Sequence, residues 1–415
     1  MPSRAVVVGA GAIGAACAHF LARSGWGVTL VDRDEIGRGC SYANACLIVP
    51  SHSHPIPEPG AIRRAARWML RPDSPFYVRP RLDPGLLDWL WRFRRACSPE
   101  AAERGFRSLL DLSRAGLALF EEMTREAGPA FFYKRQGLLH VYLTDAGFRE
   151  AHHEHVALRE AGFNARLLDR AEALEFEPAL SPRIRGGLFI EGEAHGDCYA
   201  YTLGLAGRLE ASGARLITGR GVSRITVAGG RARGVLLEPQ GEEIPADLVV
   251  LAAGAWTPAL AAPLGLRIPL QPAKGYSATI PGYPGAPRVP LLSMERRVVV
   301  TPLGDRLRFG GTLELAGLTP GINPVRYRAV VSAAHELLAS PPPVDQAEAW
   351  YGFRPVTPDG LPVIGWAPGI EGLIVASGHA MLGFTQAPIT GKLVAELADG
   401  RPPSVPLEPF RPDRF

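Results

Sequence analysis

The stretch RAVVVGAGAIGAACAHFLARSGWGVTLVDRD, residues 4–34, decides the fold. Its short apolar run at 5–8 predicts a buried strand, and glycines 9, 11 and 14 follow it with the spacing G-x-G-x-x-G. The next residues have the apolar spacing of a helix that ends near Gly25, and a second strand follows. A strand, a glycine-rich turn, a helix and a second strand in this order predict a unit that binds a dinucleotide.

Each part of this unit has a physical role at a nucleotide. Gly9 permits the tight turn, Gly11 lets the backbone approach a pyrophosphate, and Gly14 lets the helix pack closely on the strand. The helix N-terminus offers unpaired N–H groups and a partial positive charge to the phosphates. The second strand, Val28–Val31, ends at Asp32, whose carboxylate can accept hydrogen bonds from ribose hydroxyls.

The glycine motif suits NAD and FAD alike, and the segment after it helps to distinguish them. In GRGCSYANACLIVPS, residues 37–51, Gly39, Ser41 and Asn44 belong to a long polar loop. A plain NAD-binding fold would continue into a helix soon after the second strand. A polar loop at this place can run along an extended dinucleotide, and it favours FAD.

The composition argues against several classes of protein. A net charge of +4, without a basic run interleaved with aromatic residues, argues against nucleic-acid binding. Five cysteines, without a C-x-x-C pair, predict reduced thiols in a cytoplasmic protein and no metal site. The N-terminal apolar run is too rich in glycine for a signal peptide. Pro258 and Pro263 interrupt the longest apolar stretch, so no membrane span is expected.

The nucleotide domain is expected to consist of separated parts of the chain. ADLVVLAAG at 246–254 predicts another buried strand, and a strand at Leu373–Ala376 is followed by a helix at about 386–397. Between these parts, the sequence predicts helices in 61–130, a strand–turn–strand at 131–144, and three antiparallel strands in KGYSATI, RRVVVTP and DRLRFGGTLEL. We therefore predict an α/β protein, in which 1–60, 186–265 and 350–415 form a Rossmann-like FAD-binding domain and 61–185 and 266–349 form an inserted mixed α+β substrate domain.

Seven segments, in order along nearly the whole chain, resemble the D-amino acid oxidase-type FAD oxidoreductases. They are the glycine motif with Asp32, SYANACLIVP, EAHGDC (193–198), VVLAAGAWT, QPAKGYSATI, YGFRPVTPDGLPVIG (351–365) and SGHAMLGFT. Within the family, the chain most resembles the bacterial D-amino acid dehydrogenases, which include D-hydroxyproline dehydrogenases. The resemblance implies bound FAD, a two-domain fold, and oxidation of a C–N bond next to a carboxylate by hydride transfer to flavin N5.

The resemblance also implies which residues lie at the cofactor. These are Gly9, Ala10, Gly11, Ile13, Gly14, Asp32, Arg33, Ser41, Asn44, Ala45, Val222, Ala253, Gly254, Gly378, Met381, Leu382, Gly383, Phe384 and Thr385. The helix near 386 is expected to direct its N-terminus at negative charge on the reduced flavin. The cysteine that tethers flavin in sarcosine oxidase-like relatives is absent from GHAMLGFT, so FAD is expected to be non-covalent.

At the substrate, Arg354 matches the arginine that binds the carboxylate, and a structural salt bridge is its alternative role. Where the oxidases carry a tyrosine that shares the carboxylate, this chain has Val299, so Tyr276 is the candidate second anchor. His379 is the third candidate for a catalytic role. Further candidates for the substrate site are His52, His54 and Tyr351, with surface exposure or core packing as alternatives. The dehydrogenases usually have glycine after ANA, and Cys46 at this position is a departure.

The expected reaction is the oxidative deamination of small amino or imino acids, such as D-proline or D-hydroxyproline, with electrons passed to a quinone or another acceptor. Two alternatives stay open: an oxygen-using glycine or sarcosine oxidase, and a flavin-binding subunit of a larger complex. Residues 61–98 mix arginines with tryptophans, which suits either an interfacial helix pair on anionic lipid or a core helix hairpin. The protein is thus expected in the cytoplasm, with peripheral contact to the membrane as an alternative. Histidines 152, 153 and 155 are expected on a solvated helix face.

Overall fold

The computed structural model describes residues 2–69, 71, 73–127 and 131–415, which form ten α-helices and twenty-one strands. The strands are β1 (Arg4–Val8), β2 (Gly27–Val31), β3 (Leu47–Ile48), β4 (Phe76–Val78), β5 (Tyr133–Lys134), β6 (Leu138–Tyr142), β7 (Ala165–Asp169), β8 (Gly186–Ile190), β9 (Ala194–Gly196), β10 (Arg215–Ile217), β11 (Val222–Ala228), β12 (Arg231–Leu237), β13 (Glu243–Pro245), β14 (Leu248–Leu251), β15 (Gln271–Pro281), β16 (Leu291–Ser293), β17 (Val298–Leu303), β18 (Arg306–Leu315), β19 (Glu348–Val356), β20 (Val363–Trp366) and β21 (Leu373–Ser377). The helices are α1 (Ala12–Arg23), α2 (Ala61–Met69), α3 (Pro84–Ala96), α4 (Pro99–Ala127), α5 (Asp145–Glu160), α6 (Arg170–Phe176), α7 (Cys198–Ala211), α8 (Thr257–Ala261), α9 (Pro324–His335) and α10 (Gly383–Ala398).

A six-stranded sheet carries the glycine-rich turn. Its order is β10-β2-β1-β14-β21-β20, and all its neighbours are parallel except β20, which runs antiparallel to β21. Alternate residues of β1 point to opposite faces, as the period of two in a strand requires. Ala5 and Val7 pack with α1, α7 and α10, whereas Val6 and Val8 pack with the three-stranded sheet β11-β12-β13. The sheet is thus buried between a helical layer and a second sheet.

A mixed sheet of nine strands forms the second half of the protein. Eight strands follow the order β19-β15-β18-β17-β16-β6-β8-β7, and β4 pairs with β18. One face of β15, β17 and β18 packs against α9 in a large apolar cluster. The predicted three antiparallel strands are confirmed as β15, β17 and β18.

The strand–turn–strand predicted at 131–144 is confirmed as β5 and β6, which do not pair with each other: β5 pairs with β9, whereas β6 pairs with β8 and β16. Two other sequence expectations differ from the structure. The last helix begins at Gly383, three residues before the predicted start. The expected boundaries at 186 and 350 assign β8 and β19 to the nucleotide domain, but both strands belong to the nine-stranded sheet. Their backbones hydrogen-bond to β6, β7 and β15, so they extend the substrate half.

The helices at 61–98 lie on the surface. Among its described side chains, α2 has no buried residue, whereas α3 buries Leu86 and Trp89. Leu70, Pro72 and 128–130, which fall in the region predicted to be helical, lie outside the described residues. No helix in the described ranges has the length and apolar character needed to cross a membrane.

Candidate functional site

A cavity of about 1070 Å³ lies between the two large sheets. It begins at the carboxyl ends of β1, β14 and β21, which meet at one edge of the parallel sheet. Ligands of open α/β sheets bind at this edge, where loops leave the strands. From there the cavity extends to one face of the nine-stranded sheet and to α2 and α5.

The glycine-rich turn is packed so closely that Gly9 and Gly14 have no room for a side chain. Gly9 has a φ of +104°, and a Cβ there would lie 2.5 Å from the carbonyl oxygen of Ala252. A Cβ on Gly14 would lie 1.7 Å from the carbonyl oxygen of Gly9, so α1 can approach β1 only with glycine at this position. The N-terminus of α1 therefore lies directly at the end of β1, where its N–H groups can bind phosphate.

Asp32 closes the nucleotide end of the cavity. Its two carboxylate oxygens accept hydrogen bonds from the backbone N–H groups of Ala10, at 2.6 Å, and Asp34, at 2.9 Å. Burial raises the pKa of Asp32, and these two hydrogen bonds oppose that shift. The guanidinium of Arg33 lies 3.7 Å from the ring centre of Trp256, and both residues line the same end. The fixed carboxylate suits the hydroxyls of a ribose.

The opposite end of the dinucleotide groove is formed by the 39–47 loop and by α10. Ser41 accepts a hydrogen bond from the backbone N–H of Ala12 at 2.9 Å, which ties the loop to the start of α1. Helix α10 begins at Gly383 in the cavity wall and has no acidic residue in its first turn. Its unpaired N–H groups and dipole make this wall electropositive, which suits a ligand that becomes negatively charged.

One row of residues crosses the nine-stranded sheet on the cavity side. His140, Leu292, Val299, Gly310 and Ser277 are directly paired across successive strands, so they share a face. Leu292, Val299 and Gly310 line the cavity. This row is therefore the floor of the part of the cavity that lies beyond the nucleotide end.

Arg354 projects over this floor from β19. Its Nη1 donates a hydrogen bond to the carbonyl oxygen of Thr312 at 2.9 Å. The guanidinium occupies the space above Gly275, where a Cβ would lie 2.0 Å from Nη1. In the described part of the chain, no carboxylate forms an ion pair with Arg354, and burial lowers the pKa of its guanidinium. A cation that is costly to bury and faces a cavity without a partner is suited to bind an anionic ligand.

The expected role of Tyr276 as a second carboxylate anchor is wrong. Tyr276 is directly paired with Tyr351, and both side chains lie on the opposite face of the sheet, in the cluster under α9. Neither tyrosine lines the cavity. The hydroxyl of Tyr276 donates to Glu314 at 2.6 Å, and burial together with Glu314 raises the pKa of this tyrosine. Both tyrosines therefore serve the core of the substrate half.

His379 borders the cavity, but its ring is directed into the protein. Its Nε2 lies 2.9 Å from Oγ1 of Thr390 on α10, and burial lowers the pKa of His379 to about 3. The ring is therefore neutral and joins the β21–α10 turn to the helix. This contact corrects the expected catalytic role to one of holding the turn.

The two candidate histidines after β3 differ in their surroundings. His54 is exposed, and its ring stacks on Phe106 at 4.2 Å between ring centres. His52 lines the cavity and is directed at a second histidine, His140, with 2.8 Å between the Nε2 atoms. The sequence grouped the two histidines together, and the structure separates them.

Cys46 adopts the left-handed backbone conformation, with a φ of 60°. Glycine enters this conformation without a steric cost, whereas the side chain of Cys46 adds strain to the backbone. The backbone N–H of Cys46 donates to Oδ1 of Asn44, and its sulfur accepts a hydrogen bond from Arg308 at 3.2 Å. Burial raises the pKa of the thiol, so it stays protonated.

The cavity brings together most of the residues expected at the cofactor and the substrate. Those that line it are Gly9, Gly11, Ile13, Asp32, Arg33, Ser41, Asn44, Ala45, His52, His54, Val222, Ala253, Gly254, Arg354, His379, Met381, Leu382, Gly383 and Phe384. Those that do not are Ala10, Gly14, Tyr276, Tyr351, Gly378 and Thr385. Thr385 lies behind the wall, where its hydroxyl accepts a hydrogen bond from the backbone N–H of Val49 at 3.1 Å.

Sequence reasoning missed several residues of the site. Thr312 holds Arg354 through its backbone, and no sequence pattern marks such a contact. Gly275 could have been found, because a glycine in the middle of an apolar strand often marks a close approach. His140 could also have been found, since it interrupts the apolar strand LLHVY.

Comparisons with known proteins agree with this geometry. A family model described as FAD dependent oxidoreductase matches residues 4–397. The chain is 37% identical over 408 residues to a D-amino acid dehydrogenase of Cereibacter sphaeroides, and the match covers 97% of this chain and 93% of the relative. It is 38% identical over 411 residues to D-amino acid dehydrogenase 2 of Pseudomonas aeruginosa, and the match covers 98% of this chain and 97% of the relative.

Solved structures have the same fold. Glycine oxidase from Geobacillus kaustophilus has a TM-score of 0.77 at 25% identity and covers 100% of this chain and 99% of its own. Iminodiacetate oxidase from Chelativorans has a TM-score of 0.74 at 26% identity, with 99% of each chain covered. The fold, the glycine-rich turn with its fixed carboxylate and these matches lead to one conclusion. The chain belongs to the D-amino acid oxidase-type (DAO) family of FAD-dependent oxidoreductases, and it acts on amino acids.

Proposed function

We propose that this protein is a dehydrogenase of small amino or imino acids, such as D-proline or D-hydroxyproline, that passes electrons to a quinone or another acceptor. The observation that carries the proposal is Arg354, a half-buried cation that faces the cavity without a carboxylate partner among the described residues. The curated relatives named D-amino acid dehydrogenase support the substrate class.

The residues of the groove fit FAD. Gly9, Gly11 and the N-terminus of α1 would hold the pyrophosphate, and Asp32 would hold the ribose. The first turn of α10 would stabilise negative charge at the flavin end. None of the five cysteines lies between Ser377 and Phe384 in this wall, and we propose that the cofactor is bound non-covalently.

The chain itself positions the substrate. When bound, FAD supplies the acceptor for the hydride that leaves the α-carbon. The guanidinium of Arg354 binds both oxygens of the substrate carboxylate and so fixes its position and its plane. The carbonyl of Thr312 holds the guanidinium in turn. The apolar floor at Leu292 and Val299 excludes water from the α-carbon.

Anaerobic addition of amino acids to the yellow protein tests the proposal. A panel of D- and L-amino acids that includes D-proline, D-hydroxyproline, glycine and sarcosine is expected to contain at least one acid that bleaches the flavin absorbance within seconds. Protein that stays yellow with every acid would contradict the proposal, and would instead favour a flavin-binding subunit that needs a partner.

An oxygen-using oxidase is the second candidate, favoured by the similarity to glycine oxidase and iminodiacetate oxidase. In the absence of air, the substrate would bleach the flavin of a dehydrogenase and of an oxidase alike, so the acceptor must be tested separately. We expect the reduced protein to reoxidise slowly in air and quickly with a quinone analogue or an artificial dye. Stoichiometric hydrogen peroxide at the full turnover rate would identify an oxidase instead.

We further propose that α2 and α3 dock on an anionic membrane, the source of a lipid-soluble quinone. Ile62, Met69, Leu87 and Trp91 are exposed apolar side chains on these helices. Exposed arginines of the same two helices are Arg63, Arg67, Arg94 and Arg95. An apolar surface among arginines is typical of an interfacial helix pair. Trp68 and Ala65 of α2 line the cavity, so the same helix carries part of this surface and part of the cavity wall.

Vesicle sedimentation tests this docking. The protein is expected to sediment with phosphatidylglycerol vesicles at low salt and to be released by 1 M salt, because screening weakens surface electrostatics. The double variant Arg63→Glu/Arg67→Glu is expected to stay in the supernatant. Equal amounts of both proteins in the supernatant would contradict the docking.

A further inference from the structure

A series of buried and half-buried polar side chains leads away from the cavity wall. His52 lines the cavity, and its Nε2 lies 2.8 Å from Nε2 of His140. Nδ1 of His140 lies 3.0 Å from Oε1 of Glu154, and the hydroxyl of Tyr142 donates to Oε2 of the same carboxylate at 2.7 Å. His140 is only 1% exposed. Its two ring nitrogens contact His52 and Glu154, which are both titratable, and water does not reach the ring.

This series of side chains begins beside the floor of the cavity, at the end proposed to bind the substrate. His140 is directly paired with Leu292, which is directly paired with Val299. Two strand spacings separate His140 from Val299, which is about 10 Å. The turn at Pro50–His52 brings His52 to His140 from the cavity side. A substrate held over Val299 therefore has the imidazole of His52 within the same part of the cavity.

The carboxylate of Glu154 determines where the protons lie. Burial alone would raise its pKa, but the imidazole of His140 at 3.0 Å and the hydrogen bond from Tyr142 lower it to about 2, so Glu154 is an anion that only accepts. Nδ1 of His140 must then carry a proton, and its Nε2 carries a lone pair. His52 must donate from Nε2 to this lone pair, because two acceptors cannot share the 2.8 Å contact. The Nδ1 of His52 is left with a lone pair.

Other charged groups surround this series of side chains. Arg297, on the turn between β16 and β17, and His54 disfavour a proton on His52, whereas Glu154 favours it. With burial and His140 as the largest causes, the pKa of His52 falls to about 3, so its ring is neutral when the cavity holds no ligand. Glu193, whose carboxylate accepts from the backbone N–H of Ser51, has a pKa raised by burial to about 8. It is thus mostly uncharged at neutral pH.

We propose that Nδ1 of His52 accepts the proton that the substrate ammonium must lose before its α-hydrogen leaves, and that His140 and Glu154 are positioning residues that take up the resulting charge. This inference rests on the proposed function, because it concerns an amine substrate held by Arg354. An ammonium nitrogen has no lone pair to support the developing C=N bond, so a proton acceptor is required at neutral pH.

The proposed transfer conserves atoms and charge. The N–H bond of the ammonium breaks and an Nδ1–H bond forms on His52. The Nε2–H bond of His52 breaks and an Nε2–H bond forms on His140. His52 is neutral again, and the positive charge lies on His140 at 3.0 Å from the anionic Glu154. The side chain of Glu154 is 27% exposed, which gives the proton a way out to solvent.

The pH dependence of flavin reduction in His52→Gln tests the proposal. Glutamine keeps a donor for His140 but cannot take a proton. The rate of anaerobic flavin reduction at pH 7 is expected to fall about 100-fold, as is usual when a general base is removed. It is expected to recover at high pH, where the free substrate loses its proton unaided, and added imidazole is expected to restore part of the rate at pH 7. His152→Gln, on the exposed face of α5, is the matched control and should keep the wild-type profile.

Two results would overturn the proposal. One is a rate in His52→Gln that is lowered equally at every pH, which a structural role would give. The other is an unchanged rate. Both differ from failure of the proposed function, in which the wild-type flavin would not be bleached by any amino acid.

Replacement of Glu154 and a spectroscopic measurement add independent tests. Glu154→Gln removes the anion that stabilises charged His140, so its pH profile is expected to shift in the same direction as that of His52→Gln. Nitrogen NMR of histidine-labelled wild-type protein is expected to show a neutral His52 protonated at Nε2, assigned by the loss of its signal in His52→Gln. A His52 ring protonated at Nδ1 would contradict the proposal.

Discussion

Replacing Arg354 with methionine is expected to lower the second-order rate constant of flavin reduction by about 1000-fold. Loss of one partner from a desolvated charge pair costs about 4 kcal/mol, which corresponds to this factor. The loss should appear mainly as weaker substrate binding, because the guanidinium holds the carboxylate and does not exchange protons. The flavin should stay bound, since no phosphate-binding residue is altered. Anaerobic stopped-flow measurements of flavin bleaching against substrate concentration give both quantities.

Two further variants separate charge from geometry. Arg354→Lys keeps the charge but not the planar fork, and is expected to recover only part of the loss. Arg328→Met changes an exposed arginine of α9 and should leave the rate unaltered. A wild-type rate in Arg354→Met would mean that the substrate carboxylate is bound elsewhere.

The second large effect is expected at the glycine-rich turn. In Gly14→Ala, the new methyl group would lie 1.7 Å from the carbonyl oxygen of Gly9, so α1 must move away from β1. We expect destabilisation of the folded protein by about 3 kcal/mol, as overpacking of a rigid contact produces. The purified variant should be colourless, because the displaced helix N-terminus no longer meets the pyrophosphate. Flavin absorbance per chain and the midpoint of thermal unfolding measure the two effects.

Gly207 provides the matched control for this change. It lies on the exposed side of α7, and a Cβ there would have no neighbour within 4 Å. Gly207→Ala is expected to stabilise the protein by about 0.5–1 kcal/mol and to keep the yellow colour. If Gly14→Ala also keeps its flavin and its stability, α1 does not need the close approach that the structure shows.

The sequence was most informative where structure depends on neighbouring residues. The β1–α1–β2 unit was predicted correctly because its glycines and apolar residues act within about thirty residues of one another. The antiparallel strands β15, β17 and β18 were also recognisable, because each alternates or continues in apolar residues between turns. The start of α10 was predicted three residues too late, because no polar capping residue precedes Gly383 and marks the helix start in the sequence.

The sequence was least informative where distant strands meet. Tyr276 and Gly275 are neighbours on β15, yet only the pairing of β15 with β18 and β19 determines that Gly275 faces the cavity side and Tyr276 the core. The contact between His52 and His140 joins residues 88 positions apart. Its third member, Glu154, reaches it from a helix, and no local pattern contains this information.

The central claim is that Arg354 selects the substrate through its carboxylate. The most direct measurement is anaerobic flavin bleaching by the best acid of the panel and by the amine that lacks only the carboxylate, for example D-proline and pyrrolidine. We predict that the amine, at the same concentration and pH, bleaches the flavin about 1000-fold more slowly or not at all. Bleaching by the amine at a rate similar to that of the acid would contradict the account.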